Sequence, residues 1–174
     1  MSLLVKGKRE GRDIVAVTPQ SAGWTYVGFT AHRLRAGEKL RVHLPGRESC
    51  VVVMAGKASI SVGTQTWRGV GNRDSVFDDA APAAVYAPAG ATIEIVAETA
   101  TEIGVASAPG ETNKPARLIE PSTMKRSVRG MGANTRYVCD ILPQQEPADH
   151  LLVVEVRTPA GHASSYPPHK HDTD

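Results

Sequence analysis

The sequence predicts an all-β protein built from antiparallel sheet and closed as a sandwich or barrel. Apolar and polar residues alternate along most of the chain, which is the pattern of strands that bury one face. Glycine, proline, asparagine and aspartate interrupt this alternation at short intervals, as turns do. We find no window with a helical pattern of two turns or more. Many short strands with regular turn signals are typical of this fold class.

Nine short strands are expected before residue 110. The turns between them contain Pro45-Gly46, Gly56, Gly63 and Pro88-Ala89-Gly90. The predicted strands are 14–17, 25–33, 39–44, 49–54, 58–62, 65–68, 84–86, 92–97 and 102–106. These strands suffice for one complete β domain, so we predict an N-terminal barrel over residues 1–110.

The pattern changes after this domain. Residues 108–115 are polar and contain two prolines, which predicts a connector across the surface. Strands resume at 136–142 and 151–158, with a polar turn at 143–149 between them. Residues 111–174 are therefore predicted to form a linker and the first strands of a second, incomplete barrel.

Composition excludes several classes of partner. The 174 residues include 20 basic and 18 acidic side chains, which are interspersed and give a net charge of +2. A nucleic-acid binder usually has a larger and clustered basic excess. No apolar run is long enough for a signal peptide or a membrane span. Cys50 and Cys139 each lie in an apolar run, which predicts buried, reduced thiols in a cytoplasmic protein.

The first candidate for a polar site follows Gly37. Alternation places Arg41 and His43 on one face of the predicted strand at 39–44. Glu48 comes just after a Pro-Gly turn, so we expect it to return beside His43.

This layout resembles the cupin superfamily, in which a glycine, a His-x-His pair, a glutamate and a glycine form the first motif. The second motif is Pro-x-Gly with a histidine three residues after the glycine. By this match His43 and Glu48 fit, whereas Arg41 and Ile93 stand where the resemblance implies histidines. Because two of four ligands are replaced, we expect no divalent ion in the first barrel. Arg41, His43 and Glu48 are instead expected to form a structural or anion-facing polar cluster.

The second candidate lies in the last ten residues. His169 and His171 are separated by one residue, so they fall on the same side of an extended strand and can bind one ion. Pro167 and Pro168 fix the direction in which the chain enters that strand. A metal site needs three or four protein ligands. Either the site is unfinished or the chain is a fragment of a longer protein, and we take the second view.

The residues around this pair indicate a family. Glu155-Val156-Arg157-Thr158-Pro159-Ala160-Gly161, followed by Ser164-Ser165-Tyr166-Pro167-Pro168-His169-Lys170-His171-Asp172, closely resembles the 5-deoxy-glucuronate isomerases of myo-inositol catabolism. Related proteins are the 4-deoxy-5-ketouronate isomerases of pectin breakdown. The resemblance includes Ser2-Leu3-Leu4-Val5-Lys6 and the strand of Trp24, Tyr26 and Phe29. It covers the whole chain, but only about the first two thirds of a family member.

The resemblance implies a bicupin, with a degenerate N-terminal barrel and a C-terminal barrel that carries the metal. It implies His169 and His171 as metal ligands, zinc as the expected ion, and a metal-assisted aldose–ketose isomerisation of a deoxyuronate. Lys170 or Arg157 is a candidate partner for the substrate carboxylate, and the general base is not identified. This chain alone is expected to be an inactive fragment.

A different class of function remains open. The chain could be a metal-free cupin that serves as a binding or assembly module, with the terminal histidines incidental. Exposed strand edges of an incomplete barrel favour a homodimer or higher homo-oligomer in either case. His32, His150 and His162 have no ligand-like neighbours in sequence, so we expect them to be structural or exposed.

Overall fold

The fold is described by a computed structural model that covers residues 4–111 and 114–164. Within these residues it consists of twelve strands, one single-turn helix and two 3₁₀ turns. The strands are β1 (Asp13–Val17), β2 (Gly28–Leu34), β3 (Lys39–His43), β4 (Arg47–Val62), β5 (Gln65–Arg73), β6 (Ala83–Ala87), β7 (Thr92–Ala97), β8 (Thr101–Pro109), β9 (Arg117–Ile119), β10 (Lys125–Arg129), β11 (Arg136–Leu142) and β12 (Val153–Arg157). Helix α1 (Pro19–Ala22) follows β1, and the 3₁₀ turns are Pro121–Thr123 and Gly132–Asn134.

Strand β4 belongs to both layers of an antiparallel sandwich. Its first half pairs with β6 and β8, and its second half pairs with β5 and β7. We predicted two strands here, at 49–54 and 58–62, with a turn at Gly56. That prediction is wrong because Gly56 bends the chain without ending the strand, at a φ of 80° that favours glycine.

The space between the two layers is filled by aliphatic side chains. Alternate residues of β4, β7 and β8 face inward, and Ile60, Ile95 and Ile103 are fully buried. Full burial of one such side chain stabilises the folded state by about 1.5–3 kcal/mol. The all-β sandwich that the alternation predicted is therefore confirmed.

The larger layer has the strand order β1-β2-β8-β4-β6-β9. Strand β9 was not predicted, because three residues are too few to show an alternating pattern. It pairs with β6 and so extends this layer beyond residue 110. The domain boundary at residue 110 stays a prediction.

Strands β10, β11 and β12 form a second, three-stranded sheet. It packs on the outer face of the larger layer, where Tyr86, Ile141 and Leu142 are completely or almost completely buried. Both cysteines, Cys50 and Cys139, are free and lie buried in this contact, as predicted. None of the helices in the described ranges has the length and apolar character that a membrane crossing requires.

Candidate functional site

The four positions matched to the cupin ligands do not converge. Arg41 and His43 are exposed on β3, where His43 Nδ1 lies 3.3 Å from Thr92 Oγ1. Ile93 is 1 % exposed and belongs to the core of the sandwich. Glu48 does not join Arg41 and His43, so the expected cluster is wrong. The reason is that Glu48 lies within β4 and points to the outer face of the larger layer, toward the second sheet.

Glu48 is instead the buried anchor between the two sheets. Its carboxylate is completely shielded from water and accepts four hydrogen bonds. One comes from the hydroxyl of Tyr86, with 2.6 Å between Tyr86 Oη and Glu48 Oε2. The other three come from the backbone N–H groups of Asp149, at 2.9 Å, His150, at 2.7 Å, and Leu151, at 2.6 Å. Several donors on one carboxylate offset the cost of burying its charge.

Tyr86 holds this carboxylate from the neighbouring strand β6. Burial, and then the hydrogen bond to Glu48, raises the pKa of the Tyr86 phenol well above its ordinary value. The phenol therefore stays protonated and remains a donor to Glu48. The guanidinium of Arg117 lies 4.7 Å from the centre of the Tyr86 ring and adds a cation–π contact.

A buried ion pair fixes β12 against the larger layer. The Arg73 guanidinium donates to both carboxylate oxygens of Glu155, over 2.8 Å and 2.5 Å. The Arg73 side chain is only 1 % exposed and also donates to the carbonyl oxygens of Met54 and Ala80. Glu48 thus holds the residues just before β12, and Arg73 holds its centre. Together they fix β12, the described strand that precedes the predicted metal ligands in sequence.

Arg157, one of the two candidate partners for a substrate carboxylate, is already paired. Its guanidinium donates to Asp79 over 2.5 Å and lies 5.7 Å from the centre of the Tyr137 ring. Asp79 also accepts from Arg126, and the hydrogen bonds from Arg126 and Arg157 lower its pKa. The structure thus gives Arg157 a structural partner. Lys170, the other candidate, lies outside the described residues.

The predicted metal ligands, His169 and His171, also lie outside the described residues. Within 4–111 and 114–164, no group of three or more histidine, cysteine, aspartate or glutamate side chains is placed to hold an ion. A metal centre built from the described residues alone is therefore not formed.

Three other histidines have identified contacts. His32 contacts Asp13 through Nδ1 and Thr30 through Nε2, over 2.8 Å and 3.0 Å. His162 Nδ1 lies 2.8 Å from the carbonyl oxygen of Thr135, and the ring of His150 meets that of Tyr26 edge to face. No pattern along the chain indicates the His32 contacts, because Asp13 and His32 lie on different strands.

Comparison with known proteins decides the family. The profile of the KduI/IolB family matches residues 3–174, which is nearly the whole chain.

The chain belongs to the KduI/IolB family.

Two relatives from this family come from Geobacillus. A protein named 5-deoxy-glucuronate isomerase from Geobacillus kaustophilus is 48 % identical over 95 % of this chain. One of the same name from Geobacillus thermodenitrificans is 47 % identical over 94 % of it. The chain spans 60 % of the length of each of these relatives.

Solved structures agree with the KduI/IolB assignment. An IolB-like protein from Salmonella typhimurium LT2 superimposes with a TM-score of 0.94 and 42 % identity, covering 100 % of this chain and 66 % of that one. The Ylba protein from E. coli, at 16 % identity and a TM-score of 0.52, shares the fold alone and covers 82 % of this chain and 56 % of that one. The cupin-like fold that the motifs indicated is confirmed.

Proposed function

We propose that the protein acts as a 5-deoxy-glucuronate isomerase, interconverting the aldehyde and ketone forms of a deoxyuronate. The observation that carries this proposal is the match to the two Geobacillus relatives of that name, at 48 % and 47 % identity over almost all of the chain. Because the chain spans 60 % of their length, the activity is proposed for the whole protein and not for these residues alone.

The proposed cofactor is a divalent metal ion, with zinc the expected species, held by His169 and His171. Imidazole nitrogen is a preferred ligand of zinc. When bound, such an ion supplies Lewis-acid polarisation of a carbonyl group. The described residues do not complete a three-ligand site, so the remaining ligands and the general base are not assigned to any of them.

The proposed contribution of the described residues is to position β12. Glu48 immobilises the backbone of residues 149–151, and Arg73 clamps Glu155 in the middle of β12. Both contacts come from the N-terminal sandwich. The proposed role of that sandwich is therefore to orient β12, the described strand that precedes the two histidines in sequence.

The proposal includes a homodimer or higher homo-oligomer in the cytoplasm. β10 and β12 are the outer strands of the small sheet as described, and outer strands offer unpaired backbone groups to a second copy. Two free, buried cysteines fit a reducing compartment.

The experiment uses the complete gene product and follows conversion of 5-deoxy-glucuronate by NMR. Conversion that stops on chelation and returns with zinc is the expected result. A 4-deoxy-5-ketouronate, tested in parallel, is expected to react more slowly. A folded protein that converts neither substrate in the presence of zinc would overturn the proposal and favour a binding or assembly module.

A further inference from the structure

A cavity of about 470 Å³ opens between β2 of the larger layer and β3 of the opposite layer. Small-molecule sites commonly measure about 300–1,000 Å³, so this space is large enough for one small ligand. Its apolar wall includes Phe29, Leu40, Val42 and Val105. A wall of this kind packs against the carbon skeleton of a ligand.

The charged groups that line this cavity have one sign. They are the guanidinium groups of Arg41 and Arg47, and no aspartate or glutamate of the described residues lines the cavity. Two other cavities of similar or larger size are different, since one includes Asp79 and Glu155 and the other includes Glu38, Asp74 and Glu102. The cavity between β2 and β3 is therefore suited to an anion.

Arg47 is the principal source of positive charge. Its guanidinium donates to the backbone oxygen of Tyr26, and to the hydroxyl and backbone oxygens of Ser107 at 3.3 Å and 3.1 Å. All three acceptors are neutral, so these hydrogen bonds orient the side chain without cancelling its charge. Arg41 contributes less, because Glu94 lies opposite it in the β3–β7 register.

A relay of three side chains presents a hydroxyl group to the same cavity. Since an ionised carboxylate can only accept, Asp13 takes the Nδ1 hydrogen of His32. His32 Nε2 then contacts Thr30 Oγ1 at 3.0 Å, and both His32 and Thr30 line the cavity. The His32 side chain is only 13 % exposed and is held in one orientation by contacts at both ring nitrogens. In the neutral ring with its hydrogen on Nδ1, Nε2 accepts from the Thr30 hydroxyl, which leaves Thr30 Oγ1 as an acceptor for a hydroxyl group of a ligand.

We propose that this cavity is a second ligand site, which takes a small organic carboxylate of about the size of a sugar acid. Arg47 supplies the charge for the carboxylate, Thr30 Oγ1 supplies an oriented acceptor for a ligand hydroxyl, and the apolar wall takes the carbon skeleton. The described residues that line the site all belong to the N-terminal sandwich, and the proposal assigns no role to His169 or His171. It therefore does not depend on the isomerase activity.

The test is an NMR titration of the chain, freed of metal by a chelating resin that is then removed, with D-glucuronate as the probe. Saturable shifts of the backbone amides of Gly28 and Ser107, which line the cavity, are expected. D-glucose has no carboxylate and is expected to leave these amides unmoved. Inorganic phosphate is expected to bind more weakly than D-glucuronate, because it cannot use the apolar wall.

Variants separate a ligand site from a structural cluster. Thr30→Val keeps the shape of the side chain and is expected to weaken D-glucuronate binding by about threefold to tenfold, the loss of one hydrogen bond between neutral groups. Arg47→Gln is expected to weaken it at least as much. Thr66→Val, at an exposed position of β5, is the matched control and should bind like the wild type.

Four results would overturn the site. They are equal shifts with D-glucose and D-glucuronate, tighter binding of phosphate than of D-glucuronate, undiminished binding by a folded Thr30→Val variant, or absence of any shift at Gly28 and Ser107. Replacing both His169 and His171 by alanine should leave this binding unchanged, which distinguishes failure here from failure of the proposed isomerase.

Discussion

Glu48 ties two distant parts of the chain together through one carboxylate. The three backbone groups that it accepts from lie about a hundred residues later in the sequence. The local sequence pattern could place Glu48 near the start of a strand, but it could not reveal partners so far away in sequence. For the same reason the Pro-Gly turn before Glu48 led to the wrong expected neighbour, His43.

Glu48→Gln tests this anchor. Glutamine keeps the shape but presents an NH₂ group to donors that need an acceptor. Because buried donors are then left unsatisfied, the free energy of unfolding should fall by about 2–4 kcal/mol. Chemical denaturation measures this change. Glu94→Gln, at an exposed position of β7, is the control and should change stability by less than about 0.5 kcal/mol. Equal, small effects of the two variants would mean that Glu48 is not an anchor.

The buried cysteines predict a dependence on pH. Burial raises the pKa of the Cys50 thiol from an ordinary value of 9.0 to about 12, and burial also raises that of Cys139. A raised thiol pKa stabilises the folded state fully below pH 9, and the contribution is lost as pH rises from 9 toward 12. The free energy of unfolding should therefore decline above pH 9.

The burial of both cysteines also predicts their reactivity. In the folded protein at pH 8 neither thiol should react with iodoacetamide, whereas both should react in denaturant. Rapid alkylation of the folded protein would contradict their burial.

Among the strands, those with a complete alternating pattern were predictable. The strand predicted at 92–97 has the same bounds as β7, and that at 136–142 has the same bounds as β11. Strand β10 was missed because Lys125, Arg126 and Arg129 make it look like a polar loop. Its pairing with β11, and not its own composition, makes it a strand.

Replacing the glycine at the bend in β4 should destabilise the fold more than replacing a glycine in an open turn. A Cβ atom on Gly56 would lie 2.2 Å from the backbone oxygen of Ala100, whereas one on Gly63 would meet nothing within 4 Å. Both glycines have positive φ, at 80° and 59°. Gly63→Ala should therefore lower the free energy of unfolding by only about 1–2 kcal/mol, the cost of a positive φ for alanine. Gly56→Ala should cost at least about 3 kcal/mol, since the backbone must also move. Chemical denaturation measures the free energy of unfolding of both variants. Equal losses would contradict the close approach of Ala100 to Gly56.

At the scale of the whole molecule, the N-terminal sandwich serves as a platform for the second sheet. The contact between them combines an apolar cluster, the Glu48 anchor and the Arg73–Glu155 ion pair. Patterns in the sequence indicated the sandwich and located the His169 and His171 pair. The docking geometry depends on contacts between residues far apart in sequence, so no pattern along the chain could supply it.

The most direct test of the proposed isomerase is a paired measurement on the complete gene product. Zinc content and turnover of 5-deoxy-glucuronate are measured for the wild type and for the double variant His169→Ala/His171→Ala. Thr66→Val, at an exposed position of β5, is the control. The proposal predicts that the double variant folds but loses bound zinc, with turnover reduced by at least about 100-fold, while the control keeps both. Full zinc content and undiminished turnover in the double variant would contradict it.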